Sequence, residues 1–172
     1  MEYFYHEARP DMKGTILYPL NFIKDIYPEI YFDRAKKYEG REDVLRVEIP
    51  PLGCLWNDVI HLTAVTPEKL KENLAQAGFH FSKLRHFKIP LSMLDQNKMA
   101  YFTHRKDSIG IYDPKKFELF DKKKMSEYKQ SPEDTIEHYK EMKAEGKRPL
   151  AHAWAPHILY NGTIETKDLE II

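Results

Sequence analysis

The stretch DVLRVEIP sets Leu45, Val47 and Ile49 against Arg46 and Glu48, the two-residue period of a half-buried strand, and Pro50-Pro51 closes it. Three further runs predict strands: the aromatic YFYH at 3–6, with His6 at its end and Pro10 soon after, VIHLTAV at 59–65, and LRHFKIP at 84–90. Helices announce themselves by their ends. Pro28 stands at a first-turn position for EIYFDRAKKYEG, Gly40 stops it, and Tyr31, Ala35 and Tyr38 share one face while Arg34 and Lys37 fall elsewhere. Thr66-Pro67-Glu68 supplies an N-cap, a proline at the first helical position and an early acid, followed by Leu70, Leu74 and Ala77 before Gly78. Ser131-Pro132-Glu133-Asp134 repeats that start for TIEHYKEMKAEG, with Gly146 as its stop.

The chain closes on HILY-NG-TIE, two β-prone runs about an Asn-Gly pair, which predicts a two-residue hairpin turn with both central residues at positive φ. Pairing across it sets Tyr160 against Thr163, Leu159 against Ile164, Ile158 against Glu165 and His157 against Thr166, so His157 shares a face with Leu159 and Ile164. LEII at the end predicts one more strand. Residues 91–130 carry no clear period, and DKKKMSEYK within them reads as a solvated face. Strands and helices that follow one another without strict βαβ alternation predict an α+β fold.

A chain of 172 residues suits a single domain spanning 1–172, because at about 150 residues one core hides roughly 70 % of the unfolded surface. Lys+Arg and Asp+Glu are 27 each, so no global field draws in a polyanion, and nucleic acid is not an expected partner. Cys54 is the only cysteine, which excludes an intrachain disulfide and points to a reducing compartment. With no positive charge beside it in the sequence, it reads as a small buried hydrophobe rather than a nucleophile. MEYFYHEARPDMKG has no basic segment leading into an apolar run, and no stretch of ~18 apolar residues occurs, so the expected location is the cytoplasm, with no membrane partner.

The chemistry on offer is histidine-rich. Eight histidines stand at 6, 61, 80, 86, 104, 138, 152 and 157, but neither HExxH nor a CxxC-type spacing is present, so no metal is expected and any zinc site would be assembled from single residues by folding. Nucleophile elbows, Walker loops and Rossmann glycine patterns are absent too. In CLWNDVIH, Trp56 and the aliphatic residues want burial while Asn57 and Asp58 need hydrogen bonds, which predicts a turn or the lip of a pocket. Arg41, just past the Gly40 stop, is placed either to bind an anion or to sit in solvent.

The stretches YHEARPDMKGTILYPLN, KKYEGRE, CLWNDVIHL and PHILYNGTI resemble a Bacillus-type family of uncharacterised bacterial proteins labelled only "group-specific protein"; this resemblance spans nearly the whole chain and implies no activity. The layout also resembles, at the level of pattern, small ADP-ribosyltransferase-like domains: a first strand ending in histidine, a tyrosine-bearing helix, a VLRVEIP-like strand and a closing hairpin. That likeness implies a split antiparallel sheet flanked by helices and ending in a C-terminal β-hairpin. It also implies NAD as cofactor, His6 on its ribose and Tyr31 or Tyr38 stacked on nicotinamide. Where the toxins of that fold carry a glutamate before the final hairpin, this chain has His157, with Glu165 the nearest carboxylate beyond the turn. Cleavage of a nicotinamide–ribose bond passes through an oxocarbenium-like species that needs an anion, which imidazole does not supply, so either Glu165 or another acid such as Glu48 or Asp58 serves, or the chain is a divergent, inactive domain and not a transferase of this kind.

The expectation is therefore an NAD- or nucleotide-binding pocket lined by His6, Tyr38, Arg41, Asn57, Asp58 and His152, with Glu165 and His157 as catalytic candidates. Its rivals are a non-catalytic module that binds a protein or small ligand through aromatic surface, and a metal-dependent hydrolase built from the scattered histidines.

Overall fold

The computed structural model describes residues 1–80, 84–104, 112–149, 152 and 154–172. In chain order they form β1 (Tyr3–Glu7), β2 (Ile16–Leu17), α1 (Leu20–Ile26), α2 (Pro28–Ala35), β3 (Glu48–Ile49), β4 (Cys54–Leu55), β5 (Ile60–Leu62), α3 (Pro67–Gln76) and β6 (His86–Pro90). Then come β7 (Met99–Phe102), β8 (Glu118–Leu119), α4 (Met125–Tyr128), α5 (Thr135–Ala144), β9 (His157–Tyr160), β10 (Ile164–Glu165) and β11 (Glu170–Ile171), interspersed with short 3-10 turns. The fold is mixed α+β, and its sheets are small and antiparallel.

The largest sheet runs β5-β9-β7-β8, and a second runs β1-β6-β11. They meet where Tyr5 and Thr63 exchange backbone hydrogen bonds, Tyr5 N–H to the Thr63 carbonyl at 2.8 Å and the reverse at 3.0 Å. The middle strands are apolar throughout, HILY and MAYF, because both of their faces are covered. Strand alternation then sorts their side chains into two cores. Met99, Tyr101, Ile158 and Tyr160 pack with Phe4, Leu62 and Ile89 on one side. Ala100, Phe102 and Leu159 pack with Trp56, Tyr38 and Phe117 on the other. His157 opens β9 two residues before Leu159 and so belongs to the Trp56 side, where the two rings lie edge to face at 5.7 Å.

The helix starts and stops follow local grammar. Thr66 Oγ1 accepts from Lys69 N–H, Pro67 is the first residue of α3, and Gly78 closes that helix at φ +80°. Gly40 (φ +76°) and Gly146 (φ +69°) stop the segments ahead of them in the same left-handed way. The helix expected over 29–39 is α2 only as far as Ala35, after which Lys36–Tyr38 tighten into a 3-10 turn.

Two strand expectations fail. Within DVLRVEIP only Glu48–Ile49 is strand, paired with β4; Glu42–Arg46 coil into a 3-10 helix whose i→i+3 bonds run from Val44 N–H to Arg41 and from Val47 N–H to Val44. The alternation is real, but β4 reaches only Glu48 and Ile49 before Pro50 ends the run. The closing hairpin does not form either. β9 lies between β5 and β7, with His157 opposite Phe102 and Tyr160 opposite both Ile60 and Met99, so both its edges are occupied. β10 pairs instead with β2, Ile164 against Leu17, and neither Asn161 nor Gly162 adopts positive φ. LEII does supply a strand, β11, which extends β6. Among the described residues no helix is long and apolar enough to cross a membrane.

Candidate functional site

The helices and the Trp56 side of the sheet enclose a cavity of about 850 Å³. The end of β1 brings His6 to it, and β5 brings His61. The 3-10 turn that links β4 to β5 contributes Trp56 and Asn57, and the turn after α2 contributes Lys37 and Tyr38. β9 adds His157 from its first position, and His104, His138, His152 and Trp154 complete the histidine- and indole-rich wall.

Six of the residues singled out in the sequence line this one cavity: His6, Tyr38, Arg41, Asn57, His152 and His157. Tyr38 donates its hydroxyl to Asn57 Oδ1 at 2.7 Å, and with both residues at most 5 % exposed this is a satisfied buried pair that fixes the turn. Burial first, then the Tyr112 hydroxyl, pushes the Tyr38 phenol up to about 12, so it stays protonated and donating.

Two of the expected residues stand elsewhere. Asp58 accepts from Asn21 Nδ2 at 2.6 Å and from the Leu55 N–H at 2.8 Å, and it braces its turn outside the cavity lining. Glu165 accepts the N–H groups of Thr166 and Lys167 at 3.0 and 3.1 Å on β10, and it too is absent from the lining. Tyr31 packs edge to face on Phe32, and Glu48 is exposed on β3. The carboxylates that do line the cavity are Glu7 and Asp43.

Five of the lining histidines are held neutral. Burial lowers His6 and His104 to about 4, and His61 and His152 to about 3; it drives His157 well below the ordinary imidazole value. Like charge adds to this, since Lys37 depresses His6, His61 and His157 as well. His6 Nδ1 lies 2.9 Å from the His61 carbonyl and His61 Nε2 lies 2.9 Å from the Trp56 carbonyl. A carbonyl only accepts, so each of those nitrogens carries the proton and the other nitrogen of each ring is a lone pair. Behind this wall His86, fully buried, sets its Nε2 2.8 Å from His152 Nε2 with the rings parallel at 5.0 Å.

Several lining residues escaped the sequence reading. His61 and Trp56 belong to the stretch that predicts a pocket lip, whereas helical geometry puts Arg34 and Lys37 off the tyrosine face. The tightening after Ala35 changes that geometry for Lys37, while Arg34 reaches the cavity from the last turn of α2. Among the described residues no group of three or more His, Cys, Asp or Glu is arranged to hold a metal ion. Comparisons of the chain with protein-family models, with curated proteins and with solved structures find no match.

Proposed function

We propose that the cavity binds a nucleotide, with NAD as the candidate that fits its several surfaces together. The observation that carries the reading is convergence: His6, Tyr38, Arg41, Asn57, His152 and His157 come from four separate stretches of chain and face one enclosure. Its volume lies within the range of about 300–1,000 Å³ in which small-molecule sites fall, and it combines apolar and aromatic walls with a few fixed polar groups. Trp56 and Trp154 offer flat π surface for a base, the neutral imidazoles offer uncharged hydrogen bonds, and Arg9, Arg34 and Arg41 offer charge to a phosphate. NAD would bring the reactive nicotinamide–ribose bond, and this chain's residues would bind and orient it.

The reading is one of binding before transfer. Glu165 is engaged with its own turn outside the lining, and among the described residues the carboxylates placed to face an oxocarbenium-like species are Glu7 and Asp43. The test is a thermal shift series with NAD, ADP-ribose, ATP and coenzyme A at millimolar concentration. Ligand at ~100 times its Kd adds roughly 2.7 kcal/mol, which for a chain of this size raises the midpoint by about 5–10 °C. No shift with any of the four overturns the assignment. A second reading, a module that binds another protein, rests on Phe22 and Ile26 of α1 and Phe32 of α2, which are 53 %, 44 % and 65 % exposed. Loss of self- or partner-association on changing Phe22 and Phe32 to serine, with nucleotides inert, would favour it.

A further inference from the structure

We propose that Arg9, Arg34, Lys37 and Arg41 form a subsite for a phosphoryl anion on one wall of the cavity, so that the ligand of the proposed nucleotide pocket carries at least one phosphate and, given four cations, most naturally a diphosphate. The inference deepens the nucleotide reading and rests on it for the identity of the whole ligand, but the subsite has its own geometry.

All four side chains line the cavity. Arg34, on the last turn of α2, donates through Nη2 and Nε to the two oxygens of Asp11 at 3.2 and 3.4 Å, and Arg9 donates through Nε to the same carboxylate at 3.2 Å. A single carboxylate thus holds two guanidiniums together and neutralises one of them. Arg41 is tethered from the other direction, its Nη2 donating to the Lys37 carbonyl at 2.9 Å. Lys37 lies between these groups in sequence, three residues after Arg34 and four before Arg41, and its ammonium stands 4.9 Å from the centroid of the Tyr38 ring. It makes no ion pair among the described residues, although Glu7 lies close enough to act on it weakly.

Chains do not gather cations in this way without consequence. Lys37 is exposed along its side chain, yet protein crowds its ammonium end, and desolvation together with the repulsion of Arg9, Arg34 and Arg41 lowers it to about 8. The positive charge acts on the other neighbours too, since Arg34, Lys37 and Arg9 each depress His6 and Lys37 depresses His61. An anion seated among the four would relieve all of these repulsions at once. Forked guanidiniums match phosphate oxygens in pairs, and the ammonium contributes a point charge on a flexible stem. The neutral imidazole wall does not compete for the same group, which gives the cavity a cationic, anion-binding end and an uncharged end.

The test uses the full chain with inorganic pyrophosphate as probe, and adenosine, ADP and NAD beside it, by isothermal titration calorimetry at pH 8.5 in two buffers of different ionisation enthalpy. Pyrophosphate is expected to take up more protons on binding the wild-type chain than on binding Lys37→Gln, because the anion restores Lys37 to its charged form while any proton the probe itself exchanges is common to both. Lys37→Gln, which breaks no ion pair, is expected to weaken pyrophosphate and ADP at least tenfold, to remove that extra proton uptake and to leave adenosine unchanged. A purely structural lysine would not move the proton count. Pyrophosphate binding that is absent, or that is equal in tightness and proton uptake in Lys37→Gln, overturns the subsite. If NAD and adenosine still bind in that case, the nucleotide reading survives without it; if pyrophosphate binds as expected and no nucleotide or nucleoside does, the subsite stands and the nucleotide reading falls.

Discussion

Lowering the pH from 7.5 to 5 should strip this protein of much of its stability, through histidines rather than carboxylates. His6, His86 and His104 are lowered to about 4 and His61 and His152 to about 3, against 6.5 for a free imidazole, with burial the leading cause in every case. Each is therefore neutral in the folded chain between pH 4 and 6.5, whereas the unfolded chain binds a proton there. Stability rises with pH wherever the unfolded state holds more protons, so the contribution is complete above pH 6.5 and is lost as pH falls toward 4. At pH 5 one such histidine withdraws about 2 kcal/mol, because a pKa unit is worth 1.36 kcal/mol and 1.5 units separate pH 5 from 6.5. The five together withdraw about 10 kcal/mol in full, and about 4 kcal/mol once water in the cavity screens the half-buried rings.

That loss compares with a native stability of roughly 5–15 kcal/mol for a domain. It corresponds to a fall of about 8–16 °C in the thermal midpoint for a chain of this length. Melts followed by circular dichroism from pH 8 to 4.5 read the midpoint directly. Histidine Cε1–H resonances in the same samples report which rings stay neutral. A midpoint that holds within about 3 °C from pH 7.5 to pH 5 would overturn this expectation, since it would mean that the rings protonate in the folded state without penalty. A nucleotide that fills the cavity should shift the whole curve upward without changing its direction.

Two further outcomes follow from local geometry. Gly162→Val should destabilise by about 1–3 kcal/mol in urea titration, not through φ, which is not positive there, but because a Cβ at this position meets the Tyr160 ring at 2.8 Å; an unchanged denaturation midpoint would count against it. Cys54 is half-buried and its thiol is pushed up to about 11 by burial and then by Asp58, so alkylation at pH 7.5 should be slow in the native chain and fast in urea, and rapid native labelling would contradict this.

What the sequence disclosed about this fold is what short-range chemistry decides. Thr66-Pro67, Gly40, Gly78 and Gly146 act on the backbone within a few residues of themselves, and each starts or stops a segment where its type predicts. Strand pairing is a contest between distant segments, and there local signals mislead. Asn161-Gly162 is compatible with a tight hairpin, but β5 and β7 compete for the two edges of β9 and take both, drawing Asn161 N–H to the Lys98 carbonyl at 2.9 Å instead. The site was legible to the same degree. His6, Asn57 and His157 stood out by type and company, while Lys37 depended on a 3-10 turn that no period announces, and Asp58 and Glu165 were drawn away by backbone N–H groups close at hand.

Tautomers carry the argument about the ligand one step further. With His6 Nδ1 donating to the His61 carbonyl and His61 Nε2 to the Trp56 carbonyl, His6 Nε2 and His61 Nδ1 remain as lone pairs with no protein partner among the described residues. For the His86–His152 pair one proton sits between the two Nε2 atoms. If His152 supplied it, His86 would carry its own proton on Nδ1, a buried atom with no partner, and an orphaned N–H is the rarer and costlier fault in a folded chain. His86 therefore donates, and His152 is left with its proton on Nδ1. The wall formed by His6, His61 and His152 then offers two acceptors and one donor, all uncharged. A phosphate or carboxylate placed against it would meet two lone pairs, whereas a sugar hydroxyl or a carboxamide both donates and accepts. A molecule that satisfies this wall and the cations together joins a hydroxylated, uncharged portion to an anionic one, a requirement that the proposed nucleotide meets.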